Sequence, residues 1–328
     1  MTLPASGNPI SYSQIQQEFG GPATNINLQT YYRINTAVAV TSGKDDLVAN
    51  VANNALIKQY SAANLTMDMN QWWNGKKGYT YNANVTSTTT NYNLYSAAVT
   101  AGWNQSDPLD ATIIVRSGAY IYSTSTGTDA FVTGGAGGTS GSFPDGSLLR
   151  LHNLGVISGC GGNGGPGTYQ TPGNAGSAGG RAMLISRDIY INNTGSIGGG
   201  GGGGGGGRGD SGTDGGEGTA SYGGGGGGGG AGYQGGSGGG GQGGMSYNGG
   251  GGGGGSWNAG GGGGGGGSGP AGSAGPGGPG GSSGNGGSNG SGSFASGSGG
   301  GGGSAGACLS GNTTATWGQI GTRYGAIS

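Results

Sequence analysis

Apolar residues follow two different spacings in the first half of the chain, and each spacing predicts a different kind of element. In residues 45–60 and 91–103 they recur every three to four positions, which predicts short helices. Near the N-terminus, Ser13 and Gln16 fit a capping box before another short helix that ends at Gly20. Residues 111–123 are β-branched and aromatic with a central Ser-Gly pair, which predicts a β-hairpin. Helical elements are therefore expected before residue 110 and strands after it.

A repeated pattern follows this change of spacing. Residues 149–159 and 189–199 both fit aliphatic-x-aliphatic-x-Asn-x-Gly-x-Ile-x-Gly. Alternation predicts a strand, Asn-x-Gly predicts a turn, and the isoleucine begins a second strand. Each copy leads directly into a glycine tract, so we interpret the two as related strand-turn-strand units. Two unrelated hairpins are the alternative.

Glycine dominates the second half, with 97 glycines among 328 residues and uninterrupted runs at 198–207, 223–230, 249–255, 260–267 and 299–303. Glycine loses more entropy on folding than other residues, so ordinary helices or strands are not expected there. Polyproline-II-like helices have no internal hydrogen bonds, and glycine lets neighbouring helices approach closely enough to pair their backbones. We therefore expect a packed polyglycine-II bundle with turns at its faces. Flexible poly-glycine is the alternative.

The predicted fold class is mixed, with little regular α or β structure in the second half. It comprises a small α/β N-terminal region, short β-hairpin repeats and a C-terminal polyglycine-II helix bundle or sandwich. We divide the chain into an N-terminal segment, a small helical region, a β-rich region of strand-turn-strand repeats, the glycine bundle with its loops and a closing strand, at residues 1–40, 41–110, 111–197, 198–307 and 308–328.

Charge and hydropathy exclude several classes of protein. Charged residues make up only 7% of the chain and the net charge is −1, so there is no basic patch for nucleic acid. No apolar stretch approaches the roughly 20 residues needed to cross a bilayer, so membrane insertion is not expected. The first residues lack a basic start and an apolar core, so we expect no signal peptide.

Catalytic and metal-binding chemistry is sparse. The single histidine, His152, lies inside an apolar strand repeat, where a structural role is expected. Cys160 and Cys308 are too far apart in sequence for a recognisable zinc site, so no metal, cofactor or catalytic residue is predicted. The two cysteines flank the glycine region, either as a disulfide closing it or as buried free thiols.

One acidic cluster remains, and it allows three interpretations. Its carboxylates could bind calcium, act as paired groups in glycan hydrolysis or simply solubilise a loop. The spacing fits no calcium-binding loop, so solubilising charge is the favoured interpretation. The cluster consists of Asp210, Asp214 and Glu217.

Several segments together resemble a known family. NPISYSQIQQEFGG followed by INLQTYYR is similar to the N-terminal segment of many tailed-phage tail and virion proteins. The stretch from NYNLYSAAV to TGTDAF, the junction SLLRLHNLGVISGCGGNGG and the terminal GTRYGAI resemble glycine-rich receptor-recognition proteins of phage tail-fibre tips, the T-even-type tail-fibre adhesins. The resemblance implies polyglycine-II sandwiches whose loops contact outer-membrane proteins.

The resemblance implies a virion adhesin of the distal tail, attached to other tail or fibre proteins through residues 1–40. Its partner would be a host outer-membrane protein or surface glycan, read by the loops at 208–222, 231–248 and 256–259. Within these loops, large or polar side chains are the candidate contacts, because aromatic side chains supply area with few rotatable bonds. The candidates are Tyr233, Gln234, Met245, Tyr247, Trp257 and Asn258.

Three alternatives to this interpretation stay open. The candidate aromatic residues could instead pack as caps on the glycine structure. The protein could be a structural tail or baseplate component without host contact. A surface-polysaccharide-degrading enzyme is a third hypothesis, and it would depend on the acidic cluster.

Overall fold

The computed structural model describes most of the chain from residue 79 onward and isolated positions before it. The described residues are 79–134, 147–214, 218–244, 248–256, 259–266, 272–292, 298–311 and 315–328, with positions 9, 11, 13, 14, 17, 47, 48, 76, 77, 143, 144, 268 and 269. None of the helices within these residues is long and apolar enough to cross a membrane.

Three parallel sheets form the body of the described structure. The first contains five strands, β3 (Tyr79–Val85), β6 (Leu109–Val115), β9 (Leu148–Asn153), β13 (Ile189–Asn193) and β21 (Ala315–Gln319). The second contains β4 (Thr89–Thr90), β7 (Tyr120–Tyr122), β10 (Val156–Ser158), β14 (Ser196–Gly198) and β22 (Thr322–Tyr324). The third contains β5 (Tyr92–Asn93), β8 (Phe131–Val132), β12 (Met183–Leu184) and β20 (Leu309–Ser310).

Successive strands enter the three sheets in the same repeated order, so the body is a three-sided parallel β-solenoid. Each coil contributes one strand to the first sheet, the next to the second and a later one to the third. Smaller strand pairs lie outside the solenoid. They are β1 (Leu47–Val48) with β2 (Lys76–Lys77), β11 (Thr168–Tyr169) with β15 (Arg208–Gly209), β16 (Ser211–Asp214) with β17 (Gly218–Ser221), and β18 (Ser268–Gly269) with β19 (Gly272–Ser273).

The sequence repeat is the coil period of this solenoid. Leu149 pairs in parallel with Ile189 in the first sheet, and Val156 pairs with Ser196 in the second. The predicted hairpins are wrong, because the two strands of each unit belong to different sheets and pair with the neighbouring coil. The same correction applies to residues 111–123, where β6 and β7 lie in different sheets.

The Asn-x-Gly motif turns the corner between the first and second sheets. Asn153 and Asn193 are fully buried at this corner, and Asn153 Nδ2 donates to Asn193 Oδ1 at 2.8 Å. Asn153 Oδ1 accepts from the Gly155 N–H at 3.2 Å, and Asn193 Nδ2 donates to the Ile320 carbonyl at 2.6 Å. Each asparagine therefore links its own turn to the next coil and satisfies polar groups that water cannot reach.

Aliphatic side chains stack inside the solenoid in register. Ile121, Ile157 and Ile197 are aligned in the second sheet, and all three are fully buried. Fully burying such a side chain stabilises the fold by about 1.5–3 kcal/mol. The inward positions of the first sheet carry an equivalent row, which comprises Ile113, Leu151 and Ile191.

Helical structure is a minor part of the described residues. The helix α1 (Leu94–Thr100) lies within the predicted helix at 91–103, and the Asn93 side chain accepts from the Ser96 N–H at its start. Ser13 and Gln14 are helical as predicted, while other residues of that element lie outside the described residues. In the predicted helix at 45–60, Leu47–Val48 is a strand and the remaining residues lie outside the described part of the chain.

The glycine tracts are insertions in two coils of the solenoid. Residues 159–182 join β10 to β12, and residues 199–308 join β14 to β20. The predicted fold class is therefore wrong: regular structure in the described residues is mainly parallel β-sheet with little helix, not a polyglycine-II helix bundle. The physical reason is that β-branched side chains build the core, whereas glycine, which dominated the composition, has no side chain to bury.

Candidate functional site

The glycine tracts run back and forth, so their connections gather at two ends. One end adjoins the solenoid, where the Gly159 N–H donates to the Gly198 carbonyl at 2.9 Å. Every third residue continues this series, as Gly162 donates to Gly201 and Gly165 donates to Gly204. The tracts therefore leave the solenoid side by side, joined through their backbones.

The connections farthest from the solenoid form what we call the far end. Its described residues are 168–173, 208–214, 218–224, 242–244, 248–249, 266, 268–269, 272–275, 291–292 and 298–299. Backbone hydrogen bonds tie their bases together, since the Gly224 N–H donates to the Thr168 carbonyl and the Gln242 N–H donates to the Gly224 carbonyl. Arg208 N–H donates to the Ser291 carbonyl at 3.1 Å. Segments far apart in sequence thus share one end of the molecule.

Two short antiparallel hairpins lie within the far end. Ser211 pairs with Ser221 in the first, and Ser268 pairs with Ser273 in the second. Beside them, Gln170 has a φ of 57° and its Nε2 donates to Ser211 Oγ at 3.3 Å. This part of the far end is therefore built from polar side chains and turns.

The acidic cluster predicted from sequence lies partly at this end. Arg208 Nη2 is 3.4 Å from Asp210 Oδ2, and Asp210 Oδ1 accepts from the Ser211 N–H at 2.8 Å. Asp214 lies in β16, and Glu217 falls outside the described residues. No group of three or more potential metal ligands occurs among the residues that the structure describes.

The connections beside the solenoid form the near end, whose described residues are 231–236, 255–256, 259–260 and 281–285. The Ala231 N–H donates to the Gly281 carbonyl at 2.9 Å, and the Gly232 N–H donates to the Ser256 carbonyl at 3.1 Å. The three connections are therefore joined to each other.

Tyr233 packs against the solenoid at the near end. Its ring centroid lies 4.8 Å from that of Tyr120 and 4.4 Å from that of Tyr122, both on β7. Its N–H donates to Ser158 Oγ at 3.3 Å, while 39% of the residue stays exposed. The neighbouring Gln234 carbonyl accepts from the Gly161 N–H at 2.9 Å. Both residues thus contact the base of the glycine region.

Of the six candidate contacts, the structure describes Tyr233 and Gln234, which lie at the near end. Met245 and Tyr247 lie outside the described residues, between Gly244 and Asn248 of the far end. Trp257 and Asn258 also lie outside them, between two residues of the near end that bond to each other. The sequence contained a signal for two separate sets of connections. Tracts of similar length that alternate in direction place successive breaks at alternating ends.

The two cysteines are free thiols buried near the solenoid. Burial raises the pKa of the Cys160 thiol, and burial raises the pKa of Cys308 to about 11. Such thiols are largely protonated near neutral pH, whereas nucleophilic cysteines have lowered pKa values. Burial and the nearby Arg150 charge also lower the pKa of His152, which favours the neutral imidazole.

Comparison with known proteins identifies the family. The family model for the phage tail fibre adhesin Gp38 matches residues 80–328. The chain belongs to the phage tail fibre adhesin Gp38 family. A similar solved structure is the gp37–gp38 adhesin tip complex of the bacteriophage S16 long tail fibre, with 24% identity, 81% of this chain and 88% of that chain covered, and a TM-score of 0.46. A search of curated proteins gives no match.

Membership of the Gp38 family confirms the resemblance seen in the sequence. The protein is a bacteriophage tail fibre adhesin, a class of receptor-binding component of the virion tail. The matched residues include the solenoid and both glycine insertions, so the far and near ends belong to the adhesin part of the chain.

Proposed function

We propose that this tail fibre adhesin binds a host outer-membrane protein or surface glycan through the far end of its glycine region. The observation that carries the proposal is the convergence of five connecting segments on one end, opposite the solenoid. Binding surfaces are commonly built from loops held on a rigid scaffold. Here backbone bonds such as that from the Gly275 N–H to the Arg208 carbonyl, at 2.9 Å, form the scaffold.

A backbone-bonded scaffold suits a receptor-binding surface for an energetic reason. Ordering a loop on binding costs free energy, and fixing its ends beforehand reduces that cost. The tracts contribute no side chains to the far end, so residues in the connecting segments can be exchanged without altering the packing between tracts. Variation in receptor choice is therefore compatible with an unchanged scaffold.

Among the candidate contacts, we assign receptor binding to Met245 and Tyr247. Their neighbours Gly244 and Asn248 belong to the far end, where the Gly244 N–H donates to Asn248 Oδ1 at 3.1 Å. We assign an anchoring role to Tyr233 and Gln234, because Tyr233 packs against β7 and the Gln234 carbonyl accepts from the Gly161 N–H at the base of the first glycine insertion. The remaining pair, Trp257 and Asn258, belongs to the near end by its place in the chain.

We propose a separate role, attachment to the virion, for residues 1–40. Residues 1–40 resemble the N-terminal segments of other tail proteins and precede the first solenoid strand, β3. We propose that they bind another tail or fibre protein.

Binding of the labelled protein to intact host bacteria tests the assignment. We compare wild type with Tyr247→Ala and with Trp257→Ala, two aromatic truncations at opposite ends, and verify folding by circular dichroism. The proposal predicts saturable binding that is weakened at least about tenfold by Tyr247→Ala, a loss of about 1.4 kcal/mol, and little changed by Trp257→Ala.

The reverse pattern would place the receptor site at the near end and overturn the assignment. A folded wild type that binds none of a panel of hosts on which the phage adsorbs would instead favour a structural tail component. Tyr233→Ala serves as a further near-end control, since its ring lies between the glycine region and β7.

A further inference from the structure

The outer face of the first sheet carries a row of polar side chains unrelated to the glycine region. In β9 the inward residues are Leu149 and Leu151, so the intervening Arg150 points to the outer face. Arg150 is in register with Thr112 on one side and with Tyr190 on the other, and Tyr190 is in register with Thr316. The row crosses four strands at intervals of about 4.8 Å.

A cavity of about 230 Å³ opens on this face beside the row. Three neighbouring strands and the residues just before them line it. The lining residues are Ser147, Leu148, Leu149, Arg150, Asp188, Ile189, Tyr190 and Thr316. It is somewhat smaller than the roughly 300–1,000 Å³ pockets that hold drug-sized ligands, and it combines one aromatic ring with hydroxyl and charged groups.

Arg150 is held rigidly at the edge of the cavity. Its Nη1 donates to Asp110 Oδ1 at 2.6 Å and to Thr112 Oγ1 at 3.4 Å. The Arg150 and Asp110 side chains are only 5% and 2% exposed. Asp110 neutralises the charge of Arg150. Asp188 is the other charged residue that lines the cavity, so the cavity does not favour an anionic ligand.

Tyr190 is fixed across the neighbouring strand because that strand has a glycine at the contact. A Cβ built on Gly318 would lie 1.9 Å from the Tyr190 hydroxyl oxygen and 2.5 Å from ring atom Cζ. The ring therefore leans over β21 in space that any side chain at position 318 would fill. Tyr190 is half-buried, so part of its ring remains accessible to a ligand.

From this geometry we propose that the cavity binds one neutral hexose unit of a bacterial surface glycan, with the sugar ring against Tyr190. A hexose presents an apolar ring face for the aromatic side chain and hydroxyls for Asp188, Thr316 and Arg150. The size and the absence of net positive charge both fit such a unit. This site lies on the solenoid, so it acts in addition to the far end and does not depend on it.

Saturation-transfer NMR with the methyl glycosides of glucose, galactose and mannose tests the proposal on the full-length protein. At least one glycoside should receive saturation, and Tyr190→Ala should weaken its binding by about tenfold or more. Tyr190→Phe keeps the ring and should retain most of the binding. Gly318→Ala keeps Tyr190 but occupies its space, and should weaken binding as Tyr190→Ala does.

Tyr324→Ala is the matched control, because Tyr324 is a partly exposed tyrosine on the second sheet, away from the cavity. Thermal unfolding identifies any variant that lost its fold. Absence of transfer to all three glycosides would overturn the proposal. Equal binding by wild type, Tyr190→Ala and Gly318→Ala would overturn it as well, because the sugar would then bind elsewhere. Cell binding that persists without glycoside binding would leave the far-end assignment intact.

Discussion

Two adjacent glycines in one tract provide a direct test of how the glycine region is held together. A Cβ built on Gly264 would lie 2.1 Å from the Gly250 carbonyl oxygen, whereas a Cβ built on Gly265 would meet nothing within 4 Å. Gly264 is buried and Gly265 is exposed, and neither has a left-handed backbone. Alanine at the two positions therefore changes composition equally and packing very differently.

The expected magnitudes follow from these contacts. At Gly264 the tracts must separate by about 1 Å, since real Cβ contacts below 3.0 Å essentially never occur. That movement stretches the bonds that join these two tracts, which run from the Gly250 N–H to the Gly265 carbonyl at 2.7 Å and from the Gly253 N–H to the Gly262 carbonyl at 2.8 Å. Losing two such bonds costs about 2–3 kcal/mol. At Gly265, alanine should stabilise by about 0.4–1 kcal/mol through the unfolded chain.

Thermal unfolding and amide hydrogen exchange measure the difference. Gly264→Ala should melt roughly 5–10 °C below Gly265→Ala. It should also exchange faster at Gly250 and Gly253, whose amides donate across the separated contact, while the solenoid amides keep their protection. Equal melting temperatures and equal exchange would refute the reasoning, because the side-chain-free contact between tracts would then contribute nothing to stability.

Two further predictions concern the solenoid interior. Asn153→Ala removes the donor to the buried Asn193 Oδ1 and should lower the free energy of unfolding by about 2–3 kcal/mol. Asn192→Ala removes a buried Oδ1 without a hydrogen-bond partner among the described residues, and it should change the free energy of unfolding by less than about 0.5 kcal/mol. Equal losses of stability for Asn153→Ala and Asn192→Ala in urea unfolding would contradict the prediction. Burial raises the pKa of Cys308 from 9.0 to about 11, so between these pH values the unfolded chain binds fewer protons and stability should fall as pH rises. Cys308→Ala should reduce that alkaline slope in urea unfolding measured across pH. The remaining slope is due to Cys160 and Tyr92, whose pKa values burial also raises, and an unchanged slope would contradict the assignment.

The coil repeat could be predicted from sequence, but its pairing could not. Alternation in residues 149–159 and 189–199 places the same side chains inward whether the unit is a hairpin or one corner of a solenoid. The deciding feature is the Asn-x-Gly turn, which bends the chain toward a second sheet instead of reversing it. Its buried asparagine bonds to the asparagine of the next coil, a contact that one copy alone does not reveal.

The candidate contacts show a similar limit. Aromatic residues between glycine tracts could be identified from the sequence. Their position between tracts does not show whether an aromatic side chain binds a receptor or packs against the solenoid. Tyr233 lies against Tyr120 and Tyr122, more than a hundred positions earlier in the chain. Such long-range packing depends on where β7 lies relative to the glycine insertion, and the hairpin interpretation of residues 111–123 obscured that position.

The proposed function would separate the hydrophobic core, which lies in the solenoid, from recognition, which we propose for its glycine insertions. The large aliphatic core lies in the coils, where Ile157 and Leu151 are fully buried, so the hydrophobic free energy does not depend on far-end sequence. The tracts transmit position through bonds such as that from Gly204 N–H to the Gly228 carbonyl, at 2.7 Å, and these bonds require only that no Cβ intervenes. A change at the near end must preserve the contacts of Tyr233 with β7 and β10, whereas Gly244 and Asn248 at the far end are joined to each other by a hydrogen bond from the Gly244 N–H to Asn248 Oδ1. Receptor-changing substitutions should therefore accumulate at the far end, and this asymmetry is the physical basis for assigning recognition there.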